Sequence, residues 1–171
     1  MSSLQVVVMG VSATGKSTVA RQVAEQLGWT FVEGDDLHPR SNVDKMESGK
    51  PLTDQDRAPW LDEINRVAHE HVAEQRSSVI TCSALRRAYR ERLGEGVDTM
   101  FFLHLHAAYE VLEPRMAQRE KHFMPTGLLR SQFDTLELLA DDEDGVVIDV
   151  APGSDEVVAE ALDAVRTRLR A

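Results

Sequence analysis

The octapeptide Gly10-Val11-Ser12-Ala13-Thr14-Gly15-Lys16-Ser17 constrains this chain more than any other feature. It satisfies G-x-x-x-x-G-K-[ST], in which glycines let backbone N–H groups turn inward around a polyphosphate. Lys16 then reaches the β and γ phosphates, and the Ser17 hydroxyl suits Mg²⁺. The pattern carries this meaning only between a buried strand and a helix N-terminus. Both flank it. Residues 6–9 form a continuous apolar run, as in a central parallel strand covered on both faces. Beyond Thr18, the residues Val19, Ala20, Val23, Ala24 and Leu27 share one helical face, and Gly28 stands where a C-cap belongs. Residues Gly10 to Thr18 are therefore the expected nucleotide-phosphate site, with ATP and Mg²⁺ as the implied cofactors.

Strand and helix patterns alternate through the rest of the chain. Further strands are expected at residues 29–33, 78–82, 100–105 and 146–150. Helices are expected from near Pro59 (read as a first-turn proline) to about Gln75, at 86–93, at 109–119, and from Ser154, read as an N-cap. Residues 34–50 and 120–129 are polar and broken by Pro and Gly, and read as mobile insertions. The fold class that follows is α/β: a P-loop NTPase-type three-layer sandwich with a central five-stranded parallel sheet and helices on both faces. A length of 171 residues suits one domain spanning 1–171.

Composition removes several function classes. With 42% hydrophobic and 28% charged residues the chain is of globular type. A net charge of -10 disfavours a nucleic-acid surface. No apolar run approaches the ~20 residues of a membrane span. Nothing resembles a signal peptide, and the lone Cys82 fits a reducing compartment, so a cytoplasmic location is expected. Cys82 reads as a small buried hydrophobe. His69, His71, His104 and His106 lack zinc spacing. A GTP switch needs N-K-x-D, which is missing, and Asp142-Glu143-Asp144-Gly145 matches D-x-x-G only by letter, at the wrong place in the chain. A motor needs a Walker-B aspartate, whereas the strand at 78–82 runs out in Thr81-Cys82-Ser83. A small kinase remains.

The second expected strand runs into Gly34-Asp35-Asp36-Leu37-His38-Pro39-Arg40. Ligands of open α/β sheets bind beyond the carboxyl ends of the strands. A carboxylate emerging there can accept the proton of an attacking hydroxyl. Asp35 is the first candidate and Asp36 the second; Asp35 is also available to hold Mg²⁺ through water.

GVSATGKST, GDDLHPRSNVDKMESGKPLTDQDRAPWL, TCSALRRAYRERL and REKHFMPTGLLRSQFDTLE together closely resemble the gluconate kinases of the small P-loop kinase group. The resemblance covers residues 6 to about 150, with Ala13-Thr14 standing where many members have Gly-Ser. It implies transfer of the ATP γ-phosphoryl group to the 6-hydroxyl of D-gluconate. It also implies a substrate-binding insertion at about 34–58 and a lid at about 115–130. Asp35, His38, Arg40, Lys45, Arg57, Ser83, Arg86, Arg87 and His122 lie in the matched blocks and are candidates to grip a polyol carboxylate. Arg57 and Arg86 are the preferred clamps, because guanidinium binds oxyanions in bidentate fashion. In the lid, Arg115, Arg119, Lys121 and His122 are candidates to close over ATP, with Arg119 as the catalytic cation and Arg115 as a nucleotide ligand. Helical spacing would put Arg115 and Arg119 on one face. The loop Ala151-Pro152-Gly153 is the positional candidate for the adenine, by fold analogy. Similar kinases are often homodimers. Two other readings stay open: a shikimate- or nucleotide-kinase-like enzyme, and a nucleotide-binding regulator without turnover.

Overall fold

The computed structural model describes residues 3–119 and 126–171. Five strands, β1 (Gln5–Met9), β2 (Thr30–Val32), β3 (Ser78–Thr81), β4 (Met100–His106) and β5 (Gly145–Asp149), form one sheet in the order β2-β3-β1-β4-β5. All four pairings are parallel. The three central strands are mostly apolar and buried almost throughout, while β2 and β5 at the edges keep exposed positions. That is what helices covering both faces of a parallel sheet demand.

The helices are α1 (Lys16–Leu27), α2 (Arg40–Glu47), α3 (Asp54–Ala73), α4 (Arg87–Leu93), α5 (Tyr109–Ala117), α6 (Thr126–Thr135) and α7 (Ser154–Arg170). Parallel crossovers are right-handed, so the direction of each step along the sheet fixes which face its helix covers. The step from β1 to β2 runs one way and places α1 on one face. Every later step runs the other way and places α3 to α6 on the opposite face. The observed packing of α1 on α7, α3 on α4, and α5 on α6 matches this division. Among the described residues no helix is long and apolar enough to cross a membrane.

Several elements differ from the sequence expectation. The stretch after β2 is ordered: a 3₁₀ turn at Gly34–Leu37 and then α2. Lys45 Nζ donates to Asp56 Oδ2 at 2.6 Å, and Asn42 Nδ2 donates to the Asp56 carbonyl at 2.8 Å, so α2 is fastened to the first turn of α3. The start of α3 lies at Asp54, earlier than Pro59 suggested, because Thr53 and Asp56 make a reciprocal capping box. Pro59 is thus inside the helix, past its first turn. At α7 the cap is Gly153, and Ser154 is already helical with no side-chain cap bond. The helix α6 was not expected. Arg119 lies beyond the end of α5, so helical spacing does not relate it to Arg115.

Candidate active site

The carboxyl ends of β1, β2 and β3 converge, and the loop leaving β1 is shaped for an anion. Gly10 has φ +140°, and a Cβ there would lie 2.4 Å from the Leu105 carbonyl oxygen, so only glycine fits. The Thr14 hydroxyl donates to the Val11 carbonyl at 2.9 Å and closes the turn from within. Lys16 Nζ donates to the same carbonyl at 2.9 Å. Burial holds the Lys16 pKa below its ordinary value, and the Asp35 carboxylate acts in the opposite sense. Ser12 N donates to Gln132 Oε1 of α6 at 2.7 Å, joining the loop to the segment after the expected lid.

A carboxylate that the sequence reading passed over meets this loop. Glu33, the residue after β2, accepts from the Ser17 hydroxyl at 2.6 Å through Oε2, and from the Thr81 hydroxyl through Oε1. Thr81 Oγ1 in turn accepts from Gly34 N at 2.9 Å. A Cβ at Gly34 would sit 1.8 Å from the Thr81 carbonyl oxygen, which is why β2 and β3 can close so tightly here. Where β3 lacks a Walker-B aspartate, its Thr81 instead steadies a carboxylate carried by β2. These are hard oxygen donors beside a phosphate loop, the set that Mg²⁺ prefers. Among the described residues no group of three or more His, Cys, Asp or Glu forms a separate metal cage.

One cleft is lined by Lys16, Ser17, Glu33, Asp35, His38, Arg57, Ser83, Arg119 and Gln132, so phosphate-loop and acceptor-side candidates face a common space. His38 is stacked on Trp60 with ring centroids 3.9 Å apart and planes 16° apart. The Trp60 indole is itself pinned, donating to the Gly34 carbonyl at 2.7 Å. Burial, and then the nearby Arg57 cation, push the His38 pKa down to about 4, so this imidazole is neutral at physiological pH. Arg57 Nη1 donates to Tyr89 Oη at 3.1 Å, and Tyr89 Oη donates to Asp54 Oδ1. Only 13% of the Arg57 side chain is exposed, and its guanidinium lies 5.2 Å above the Tyr89 ring. Burial pushes the Cys82 thiol up to about 12, so it behaves as an apolar lining group.

Other candidates lie elsewhere. Arg40 points outward, its side chain 84% exposed and paired with Asp44. Lys45 is committed to Asp56. Arg86 lies 3.7 Å from Asp54 at the rim and does not line the cleft, while Arg87 pairs with Glu91 and Asp142 on the outside. Asp36 is exposed and absent from the lining. Lys121 and His122 fall outside the described residues. A second cleft shares Ala13, Gly15, Thr18 and Arg119 with the first and adds Arg115, Pro152 and Gly153. There Arg115 donates to the carbonyls of Val150 (2.8 Å) and Ala151 (3.2 Å).

Known proteins resemble this chain over nearly its whole length. Residues 6–139 match the family described as AAA domain. The chain is 47% identical over 156 residues to a gluconokinase of Gluconobacter oxydans (strain 621H), covering 91% of this chain and 88% of the relative. It is 44% identical over 161 residues to the thermoresistant gluconokinase of Escherichia coli (strain K12), covering 94% and 92%. The crystal structure of a gluconokinase from Sinorhizobium meliloti 1021 superposes with a TM-score of 0.87 at 44% identity, covering 98% of this chain and 94% of that one.

Proposed function

This chain belongs to the gluconokinase family of P-loop kinases, and from that premise we propose how its residues phosphorylate D-gluconate with ATP to give 6-phospho-D-gluconate and ADP. The observation that carries the residue assignment is the single cleft in which Lys16 and Ser17 face Asp35, His38 and Arg57. The backbone N–H groups of the loop from Gly10 to Thr18 cradle the phosphates, and Lys16 bridges the β and γ groups. The base occupies the second cleft, with Arg115 and the Pro152-Gly153 turn beside it.

Ser17 and Glu33 would hold Mg²⁺, which when bound would supply charge neutralisation to the phosphates. Glu33 takes this task in preference to Asp35, because its bonds to Ser17 and Thr81 already tie it to the phosphate side. Asp35 is left to accept the proton of the 6-hydroxyl as the new O–P bond forms. Arg57, nearly buried and fixed by Tyr89, opposes the gluconate carboxylate. Arg119, which borders both clefts, stabilises the charge spread over the transferred group. Ser83 borders the acceptor and supplies a hydroxyl.

The test is a coupled ADP-release assay with ATP and Mg²⁺ across gluconate, other sugar acids, shikimate and nucleoside monophosphates. Phosphorus NMR of the product identifies the phosphorylated position. Selective turnover of gluconate at its 6-hydroxyl is expected. A preference for shikimate or a nucleotide, or binding of ATP with no turnover of any acceptor, would overturn the reading.

A further inference from the structure

Asn42 is buried, 3% exposed, and has no part in any interaction described above except the fastening of α2 to α3. Its amide has a second contact: Nδ2 lies 3.2 Å from His38 Nδ1. The same Nδ2 donates to the Asp56 carbonyl oxygen at 2.8 Å, and a carbonyl can only accept. Turning the amide over would set two oxygens against each other, so the NH₂ group must face Asp56. Its remaining hydrogen then points at His38 Nδ1, which must present a lone pair. The imidazole cannot evade this by flipping. A flip would keep the stack on Trp60 but would put a C–H against a buried donor.

A neutral imidazole with a bare Nδ1 carries its hydrogen on Nε2. Nε2 lies 3.9 Å from Asp35 Oδ1, too far for a direct hydrogen bond. An oxygen about 2.8 Å from each would close the triangle at about a right angle. A hydroxyl is the group that suits this gap, since it accepts from Nε2–H while donating to the carboxylate. The opposite tautomer would set a lone pair beside the carboxylate and compete with it for the same proton.

We propose that Asn42 is a positioning residue that fixes His38 as the Nε2–H tautomer, so that His38 and Asp35 together read one hydroxyl of the acceptor. This rests on the assignment of Asp35 to the acceptor hydroxyl. Among the described residues, the charged groups facing the pair include Lys16 of the phosphate loop, Arg57 from α3, and the Lys45–Asp56 ion pair joining α2 to α3.

A double-mutant cycle on the full-length enzyme tests it. Asn42→Leu, near-isosteric but unable to donate, should lower kcat/KM for gluconate roughly tenfold and leave KM for ATP unchanged. His38→Gln supplies an amide N–H near the Nε2 position, and in that background Asn42→Leu should cost clearly less kcat/KM, keeping only the loss that comes from its bond to the Asp56 carbonyl. An equal loss in both backgrounds means a merely structural role and overturns the proposal. Nitrogen-15 NMR of the unaltered enzyme needs no variant: it should find His38 protonated at Nε2 and bare at Nδ1, and the reverse would overturn the proposal. Asp35→Asn in the same assay separates the underlying reading. Near-normal turnover there would remove Asp35 from the acceptor hydroxyl, while the NMR result would still report on Asn42 and His38.

Discussion

At the scale of single residues, the two carboxylates that follow β2, Glu33 and Asp35, are chemically alike and differently placed. Glu33 is tied to the phosphate side by Ser17 and Thr81, whereas Asp35 faces the cleft beside His38. Asp35→Asn removes a general base and should lower kcat by roughly 10²–10⁴ with ATP affinity retained, as single-turnover and nucleotide-binding measurements would show. Glu33→Gln should instead raise the Mg²⁺ concentration needed for half-maximal rate, with a loss of roughly 10–100-fold in activity at limiting metal. An unchanged Mg²⁺ titration would take Glu33 out of that role. Glu33 was legible in principle, since the rule that led to Asp35 reaches it two residues earlier. Gln132 was not, because its bond to the phosphate loop spans 120 residues of sequence. Ala13 carries a different consequence. It sits at φ +67°, where an L side chain is strained by ~1–2 kcal/mol. Ala13→Gly relieves that strain but loosens the unfolded chain by about 0.4–1 kcal/mol. Losing the buried Ala13 methyl costs about 0.8 kcal/mol more, so the expected net is within about 0.5 kcal/mol of zero, read as a Tm change of no more than a few degrees.

At the scale of elements, what could be read from the sequence was whatever one element declares by itself. The buried run of β1, the Gly28 C-cap of α1 and the stripe on α7 all state their own identity through periodicity or a turn residue. The departures share another cause. α2 is polar and short, and the chain alone gives little reason for it to form; it is held by Lys45 and Asn42 reaching the first turn of α3. Pro59 was given the helix start because proline is tolerated there, but the Thr53–Asp56 capping box outweighs the one backbone bond that proline forfeits. That box orders the turn carrying Asp54 and Arg57, so it couples helix stability to the acceptor side. Thr53→Ala should cost about 1 kcal/mol in chemical denaturation and raise KM for gluconate more than KM for ATP. Equal changes in both KM values would show that the first turn of α3 does not serve the acceptor.

At the scale of the whole molecule, buried imidazoles link stability to pH, His38 and His104 most strongly, with His71 held down in the same sense by burial. Burial, and then Arg57, hold His38 down to about 4; burial, and then His106, do the same for His104. Among the described residues neither ring nitrogen of His104 has a hydrogen-bond partner, so the folded state offers an imidazolium no compensation there. The ordinary value is 6.5, so between pH 6.5 and about 4 the unfolded chain binds protons that the folded one refuses. Stability is therefore complete above pH 6.5 and declines as pH falls through that window, by about 3 kcal/mol for each histidine. Set against a total of ~5–15 kcal/mol, this makes acid a serious threat to the fold well before most carboxylates titrate. Asp56 contributes in a separate, lower window, since its bond to Lys45 holds it at about 2 and its contribution is lost only as pH falls from 3.8 toward that value. The two windows can be told apart with His104→Leu, which fills the site with an apolar group and removes one of these imidazoles. Its Tm at pH 7.5 should equal or exceed that of the unaltered protein, because no buried polar nitrogen is left unpaired. Its loss of Tm between pH 7.5 and 5 should be clearly smaller. If the two proteins lose the same Tm over that interval, His104 is not a source of the acid sensitivity, and the decline belongs to His38, His71 or the carboxylates.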